Sequence, residues 1–259
     1  MNDTRKRRPT LQDIADLTGV TKMTVSRYLR DPSAVAEGTR ERIAAAVEEL
    51  GYIPNRAPDM LSNATSKAIG ILIPSLSNQV FSAVIHGIEA VTRPAGYQTL
   101  LAHYGYSPER EEEQVASLLS YNVDGLILSD TQHTERTRKM IATAGIPVVE
   151  TMDLPLSPID MVVGMDHRAA ARAMVTEMLR RGRRKVIYLG ARLDVRTQLR
   201  MEGYYQAMAD FGLTGQHLLT EQSSSFTLGG ELLAQAMARF PDLDGLFCTN
   251  DDLAVGALL

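Results

Sequence analysis

A lone glycine, Gly19, set between two short helical patterns constrains the first fifty residues more than any other feature of the chain. Upstream of it, Leu11, Ile14, Ala15 and Thr18 recur at i, i+3, i+4 and i+7, one apolar stripe with Gln12, Asp13 and Asp16 left wet. Glycine takes a left-handed helix cap without steric cost, so the chain can turn sharply there. Thr21 is then placed to cap a second helix with its hydroxyl. In that helix Val25, with Val20 before it, packs inward, and Lys22, Met23, Ser26 and Arg27 occupy the outer, N-terminal part. A third helix is predicted from about Thr39, with Ile43, Ala46, Val47 and Leu50 as its buried stripe and Gly51 as its stop. Three helices whose second one is short, polar and preceded by a glycine turn form a helix-turn-helix headpiece, the arrangement that presents side chains to a DNA major groove.

The same pattern would also suit a small bundle with a solvated face, and charge separates the two. Residues 1–30 carry seven Lys or Arg against three acids, whereas the whole chain is at −4. A basic end on an acidic body directs its field toward phosphate.

From Ala68 onward, apolar runs alternate with helical patterns. Strands are predicted at Ala68 to Ile73, Gln98 to Ala102, Gly125 to Leu128 and Pro147 to Glu150, with helices at Val80 to Thr92, Glu109 to Tyr121 and Glu135 to Ala144 between them. After a connection holding Pro155 and Pro158, the pattern resumes. Strands near Met161 to Val163, Lys185 to Leu189, His217 to Thr220 and Gly245 to Cys248 alternate with helices at Ala169 to Arg181, Val195 to Phe211 and Leu228 to Arg239. Such alternation means parallel sheets wound on both faces, and two successions mean two lobes. The expected organisation is a headpiece over 1–54, a linker over 55–66, and a core over 67–259 with lobes at about 67–159 and 160–259.

Ligands bind such sheets off the carboxyl ends of their strands, in the cleft between lobes. That rule selects Ser75, Asn78 and Phe81 after the first strand, His103 and Tyr104 after the second, Asp130 after the third, and Glu150 and Asp153 at the fourth. In the second lobe it selects Asp166, Arg192, Arg196, Asn250 and Asp251, with Asp166 equally placed to cap the helix after it. Two guanidinium groups among hydroxyl and amide partners suit a polyhydroxylated acid.

Catalytic readings find little support. The chain has no Gly-x-Gly-x-x-Gly and no Gly-x-x-x-x-Gly-Lys-Ser/Thr loop. Its five histidines are scattered singly without the spacing of a metal site, so no metal or other cofactor is expected. Ser223 to Ser225 lack the nucleophile elbow and read as a helix cap. The acidic run Glu109 to Glu113 reads as a solvated helix start that complements the macrodipole. One cysteine, Cys248, rules out an internal disulfide and sits in an apolar strand pattern, which fits a reducing compartment. No charge-free run approaches the length of a membrane span, and the basic N-terminus has no apolar stretch behind it, so a cytoplasmic protein is expected.

The headpiece pattern from Thr10, together with the stretches 52–66, 102–106 and 248–257, resembles the LacI-type (lactose repressor) family of bacterial transcription regulators. Within that family those stretches are most similar to repressors of gluconate utilisation. The resemblance implies a core of the periplasmic-binding-protein type and a homodimer on a pseudo-palindromic operator at the bacterial nucleoid. It puts Lys22, Met23 and Arg27 at base edges or nearby phosphate, where lysine can donate to guanine and Met23 can touch a thymine methyl. Thr10, Thr21, Thr24, Ser26 and Asn55 become phosphate positioners. The stretch from Asn55 becomes a hinge helix that folds on DNA, with Leu61 as a wedge between base steps in the minor groove. Arg200 aligns with the arginine that members use on sugars or carboxylates, Asn250 falls at the family's Asn-Asp pair, and Val80 and Phe81 match pocket positions.

The implied function is a repressor released from its operator by a sugar acid, gluconate above all. A co-repressed member with another effector is one alternative, and a carbohydrate-binding protein without a regulatory role is another. Family members continue past the helix that follows Asn250, so a chain ending at Leu259 is expected to have an incomplete second lobe and to be poorly stable or deaf to effector.

Overall fold

The computed structural model describes residues 7–55, 65–76 and 78–259. The expected hinge helix, Leu61 included, lies outside the described residues. The chain divides into two compact units, Met1–Ser66 and Lys67–Leu259.

The first unit is three helices: α1 (Leu11–Thr18), α2 (Lys22–Arg30) and α3 (Glu37–Leu50), with a 3-10 turn at Pro32–Ala34. Gly19 and Gly51 both end their helices in the left-handed conformation, with φ of 68° and 58°. The buried centre is Ile14, Ala15, Val25, Ile43 and Ala46, with Leu11, Val20, Val47 and Leu50 packed against it, as the stripes require. The 3-10 turn was not apparent in the sequence; Asp31 nucleates it by accepting the Ser33 N–H at 3.0 Å. Arg42 on α3 reaches back to α1, where its guanidinium donates to the Thr18 carbonyl at 3.0 Å.

The second unit has two sheets. Strands β1 (Ala68–Ile73), β2 (Gln98–His103), β3 (Gly125–Leu128), β4 (Val148–Met152) and β5 (Met161–Gly164) form a five-stranded parallel sheet in the order β2-β1-β3-β4-β5. Helix α4 (Gln79–Thr92) covers one face, and α5 (Pro108–Ser120) and α6 (Glu135–Ala144) the other. Alternation along β1 makes this possible: Ile71 and Ile73 meet Phe81 and Ile85 of α4, while Leu72 joins Val115 and Leu118 of α5. The second sheet, of β6 (Val186–Ala191), β7 (Gln216–Thr220) and β8 (Gly245–Cys248), has the order β7-β6-β8. Helices α7 (His167–Arg180) and α8 (Val195–Asp210) pack on one face, and α9 (Phe226–Arg239) and α10 (Asp251–Leu258) on the other.

One expected boundary is corrected. Met161–Gly164 pairs in parallel with Val149 to Met152, so β5 is the edge strand of the first lobe and the crossing to the second comes after Gly164. The Pro155 and Pro158 stretch is a connection within one lobe. At Gly164 the backbone passes so close to Asp153 that a Cβ would overlap its carbonyl, so glycine alone fits there.

Candidate functional sites

In the headpiece, Thr21 caps α2 by accepting the Thr24 N–H at 3.2 Å, and the two hydroxyls lie 3.0 Å apart. With Val25 fully buried beneath, the first turn of α2 turns its other side to solvent: Lys22, Met23 and Arg27 are exposed, Met23 by 74%. Thr24 and Ser26 are half-buried at its margin. An exposed methionine at the start of a polar helix has no packing role of its own. Beside it runs an open groove of about 1040 Å³, lined by Arg7, Arg8, Thr10, Lys22, Tyr52 and Asn55 among others. Thr10 and Asn55, 45 positions apart in the chain, thus flank one basic groove. Asp13 ties two of its lining residues together, accepting from the Thr10 N–H (2.6 Å), the Thr10 hydroxyl (2.7 Å) and Arg7 (2.7 Å). The Thr10 bonds, then Arg7, hold the Asp13 carboxyl below its ordinary range.

Between the two lobes of the core lies a cleft of about 680 Å³. Its walls come from strand ends, as the parallel topology dictates. Asn78, Val80 and Phe81 follow β1, Tyr106 follows β2, and Met152 closes β4. From the second lobe come His167, Arg192, Arg196, Thr197, Arg200, Phe226, Thr249 and Asn250. Six of the eight effector residues expected from the sequence line this cleft: Asn78, Val80, Phe81, Arg196, Arg200 and Asn250. The other two are not among these lining residues: Ser75 accepts the Asn78 N–H at 3.2 Å, and Asp166 caps α7 by accepting from Ala169 at 2.9 Å.

Arg196 is mostly committed to holding the lobes together. Its Nε and Nη2 donate to the Asp153 carboxylate at 2.7 to 2.9 Å, and Nη2 also donates to the Ser129 carbonyl at 2.5 Å. Burial works against both charges. The Arg196 pKa nevertheless rises, because Asp153 stabilises the cation more than desolvation penalises it. The Asp153 carboxyl falls below its ordinary value for the matching reason, hydrogen bonds from His167 and Arg196 outweighing its own burial.

His167 continues the chain. Its Nε2 lies 2.8 Å from Asp153 and 3.0 Å from the Met152 carbonyl, and its Nδ1 faces Arg200 Nε at 3.3 Å. Arginine only donates, so Nδ1 accepts and Nε2 carries the proton. Arg200 also donates to the Thr249 carbonyl, a neutral acceptor, and burial lowers its pKa. Asn250 caps α10 by accepting the Leu253 N–H at 3.1 Å and turns its amide NH2 to Ser224 at 2.6 Å. Cys248 lines the same cleft, and burial pushes its thiol up to about 11, so it stays protonated and unreactive at neutral pH.

Some participants escaped the sequence reading. Arg7 and Arg8 entered it only as charge, and Tyr106, His167, Thr197 and Phe226 were not singled out. Glu111 is a correction: within the acidic run that reads as solvated, it is 1% exposed and lies 2.9 Å from His133 Nδ1. His133 Nε2 faces Glu150 at 3.3 Å, and all three side chains are buried. Burial opposes the imidazolium, but the bond from Glu111 and the charges of Glu111 and Glu150 raise the His133 pKa.

A helix-turn-helix unit and a two-lobed ligand cleft in one chain define a ligand-responsive DNA-binding regulator. Residues 10–55 match the model of bacterial regulatory proteins of the lacI family, and 66–259 that of periplasmic binding proteins and the sugar binding domain of the LacI family. Among curated proteins the chain is 60% identical to the HTH-type transcriptional regulator GntR of Escherichia coli (strain K12), over 98% of this chain and 76% of that one. Among solved structures, a LacI-family regulator from Silicibacter pomeroyi is 37% identical with a TM-score of 0.89, covering 96% of this chain and 76% of that one. The lac repressor dimer bound to operator is 25% identical with a TM-score of 0.82, covering 97% and 77%. The chain belongs to the LacI family: it is a transcription regulator, not an enzyme. Among the described residues no helix is long and apolar enough to cross a membrane.

Proposed function

We propose that this protein is a cytoplasmic, nucleoid-associated repressor that a sugar acid, gluconate in the first instance, releases from its operator. The parts are a headpiece (1–54), a hinge (55–66) and an effector core (67–259). Lys22, Met23 and Arg27 read base edges in the major groove, and Thr10, Thr21, Thr24, Ser26 and Asn55 fix the headpiece on phosphates, joined by Arg7 and Arg8 of the basic groove. Leu61 is assigned as the minor-groove wedge on family likeness alone. The protein acts as a dimer on a pseudo-palindromic site, in keeping with its likeness to the operator-bound lac repressor dimer.

The observation that carries the effector reading is Arg200: a half-buried cation facing the cleft whose partners, the Thr249 carbonyl and His167, leave its charge without a carboxylate. An acid brings that counter-charge, and Asn78 and Asn250 offer amides to its hydroxyls. Ligand affinity for one lobe arrangement must then lower operator affinity by the same factor that operator lowers ligand affinity. Band-shift titration on a gluconate-gene operator, with and without gluconate, tests the whole. Release by gluconate is expected; tighter binding would reverse the sign, and no effect of any sugar acid would remove the effector assignment.

A further inference from the structure

Three arginines line the cleft, and their partners differ. Arg196 is neutralised by Asp153, and Arg200 is held by Thr249 and His167. Arg192 is different. Among the described residues its guanidinium has no hydrogen-bond acceptor and no carboxylate within ion-pair distance. Its Cζ lies instead over the Tyr106 ring of the other lobe, 4.1 Å from the centroid. A guanidinium stacked on an aromatic face keeps its edge free, and that edge is the fork that matches a carboxylate.

The backbone is bent to place it. Arg192 and the next residue, Leu193, both have positive φ, 67° and 51°, a left-handed pair without a glycine. Tyr106 is left-handed too, at 62°. Such conformations are costly for side-chain-bearing residues and persist where the surroundings over-determine them. Here they bring one free fork from the second lobe onto an aromatic ring of the first, across the cleft.

We infer that Arg192 is the specificity-determining residue for the anionic end of the ligand: it takes the carboxylate, with Tyr106 holding its plane, and thereby separates sugar acids from neutral polyols of the same length. This rests on the sugar-acid reading above and adds a residue to it. Arg200 spends three of its five N–H groups on Thr249 and His167, whereas among the described residues the Arg192 guanidinium has no acceptor.

The test is calorimetric titration of the intact protein with gluconate and with sorbitol, which carries CH2OH where gluconate carries the carboxylate. Arg192→Gln is expected to weaken gluconate roughly 10- to 100-fold, the loss of a charge-assisted pair, and to leave sorbitol unchanged. Arg192→Lys, which keeps the charge and stem, should fall between, and should also show that the turn folds with a changed side chain. Equal weakening of both ligands by Arg192→Gln would mean a mere strut between lobes and would overturn the inference, as would unchanged gluconate binding. If the unaltered protein gives no heat with any sugar acid, it is the effector reading itself that fails.

Discussion

The headpiece and the cleft use charge in opposite ways. On the headpiece, Lys22 and Arg27 stand exposed beside a basic groove. In the cleft, the buried Asp153 and mostly buried Arg196 belong to a chain of tied side chains running from Arg200 through His167 and Asp153 to Arg196. An exposed charge waits for a large polyanion and is screened by salt; a buried, paired one is already positioned, and its partners are costly to remove. The same residue type therefore serves attraction at one end and architecture at the other.

The contrast is sharpest if the lobe clasp is cut. Arg196→Met leaves Asp153 buried with only His167 beside it, and unfolding by urea should show a loss of about 3–5 kcal/mol. Replacing both partners by apolar residues should recover much of that loss, and failure to do so would mean the clasp is not the source. Arg27→Ala, at an exposed site, should leave urea stability unchanged and instead lower operator affinity by about 1–3 kcal/mol, measured by fluorescence anisotropy against random duplex.

A smaller effect is expected from His133. Its folded pKa is raised, so its contribution is complete below the ordinary imidazole value near 6.5 and is lost as pH rises through the folded value. Urea midpoints between pH 6 and pH 9 should therefore fall, and His133→Gln should flatten that slope. The groups facing it are Glu111 from α5, Glu150 from β4 and Asp130 from the loop after β3. Smallest of all is Thr21→Ala, loss of one helix cap, at roughly 1 kcal/mol in a headpiece melt.

Much of this molecule was legible in its residues because local periodicity survives in the fold. Continuous apolar runs gave every strand of the two sheets, and the α1 to α3 stripes gave the headpiece core. What failed was long-range. Edge strand β5 is short and largely exposed, so nothing local says which lobe it joins; only its register with β4 decides. Glu111 was misread by composition, although it falls in phase with Val115 and Leu118 on the buried face of α5, a signal that was available. Its partner His133 is 22 positions away, and Tyr106 and Arg192 meet only because β2 and β6 end at the same cleft. Pairings of that kind follow from topology, which no window along the chain contains.

Arg42 has a consequence for anyone wishing to move the reading helix elsewhere. It belongs to α3, outside the two helices that make the turn, yet its guanidinium ties off the carbonyl at the end of α1. A peptide from Thr10 to Asp31 would retain Lys22, Met23 and Arg27, the side chains proposed to meet the major groove, while losing the third-helix arginine that ties off the end of α1. The transplantable module is the whole trihelical block, and a graft into another scaffold must carry that third-helix arginine along.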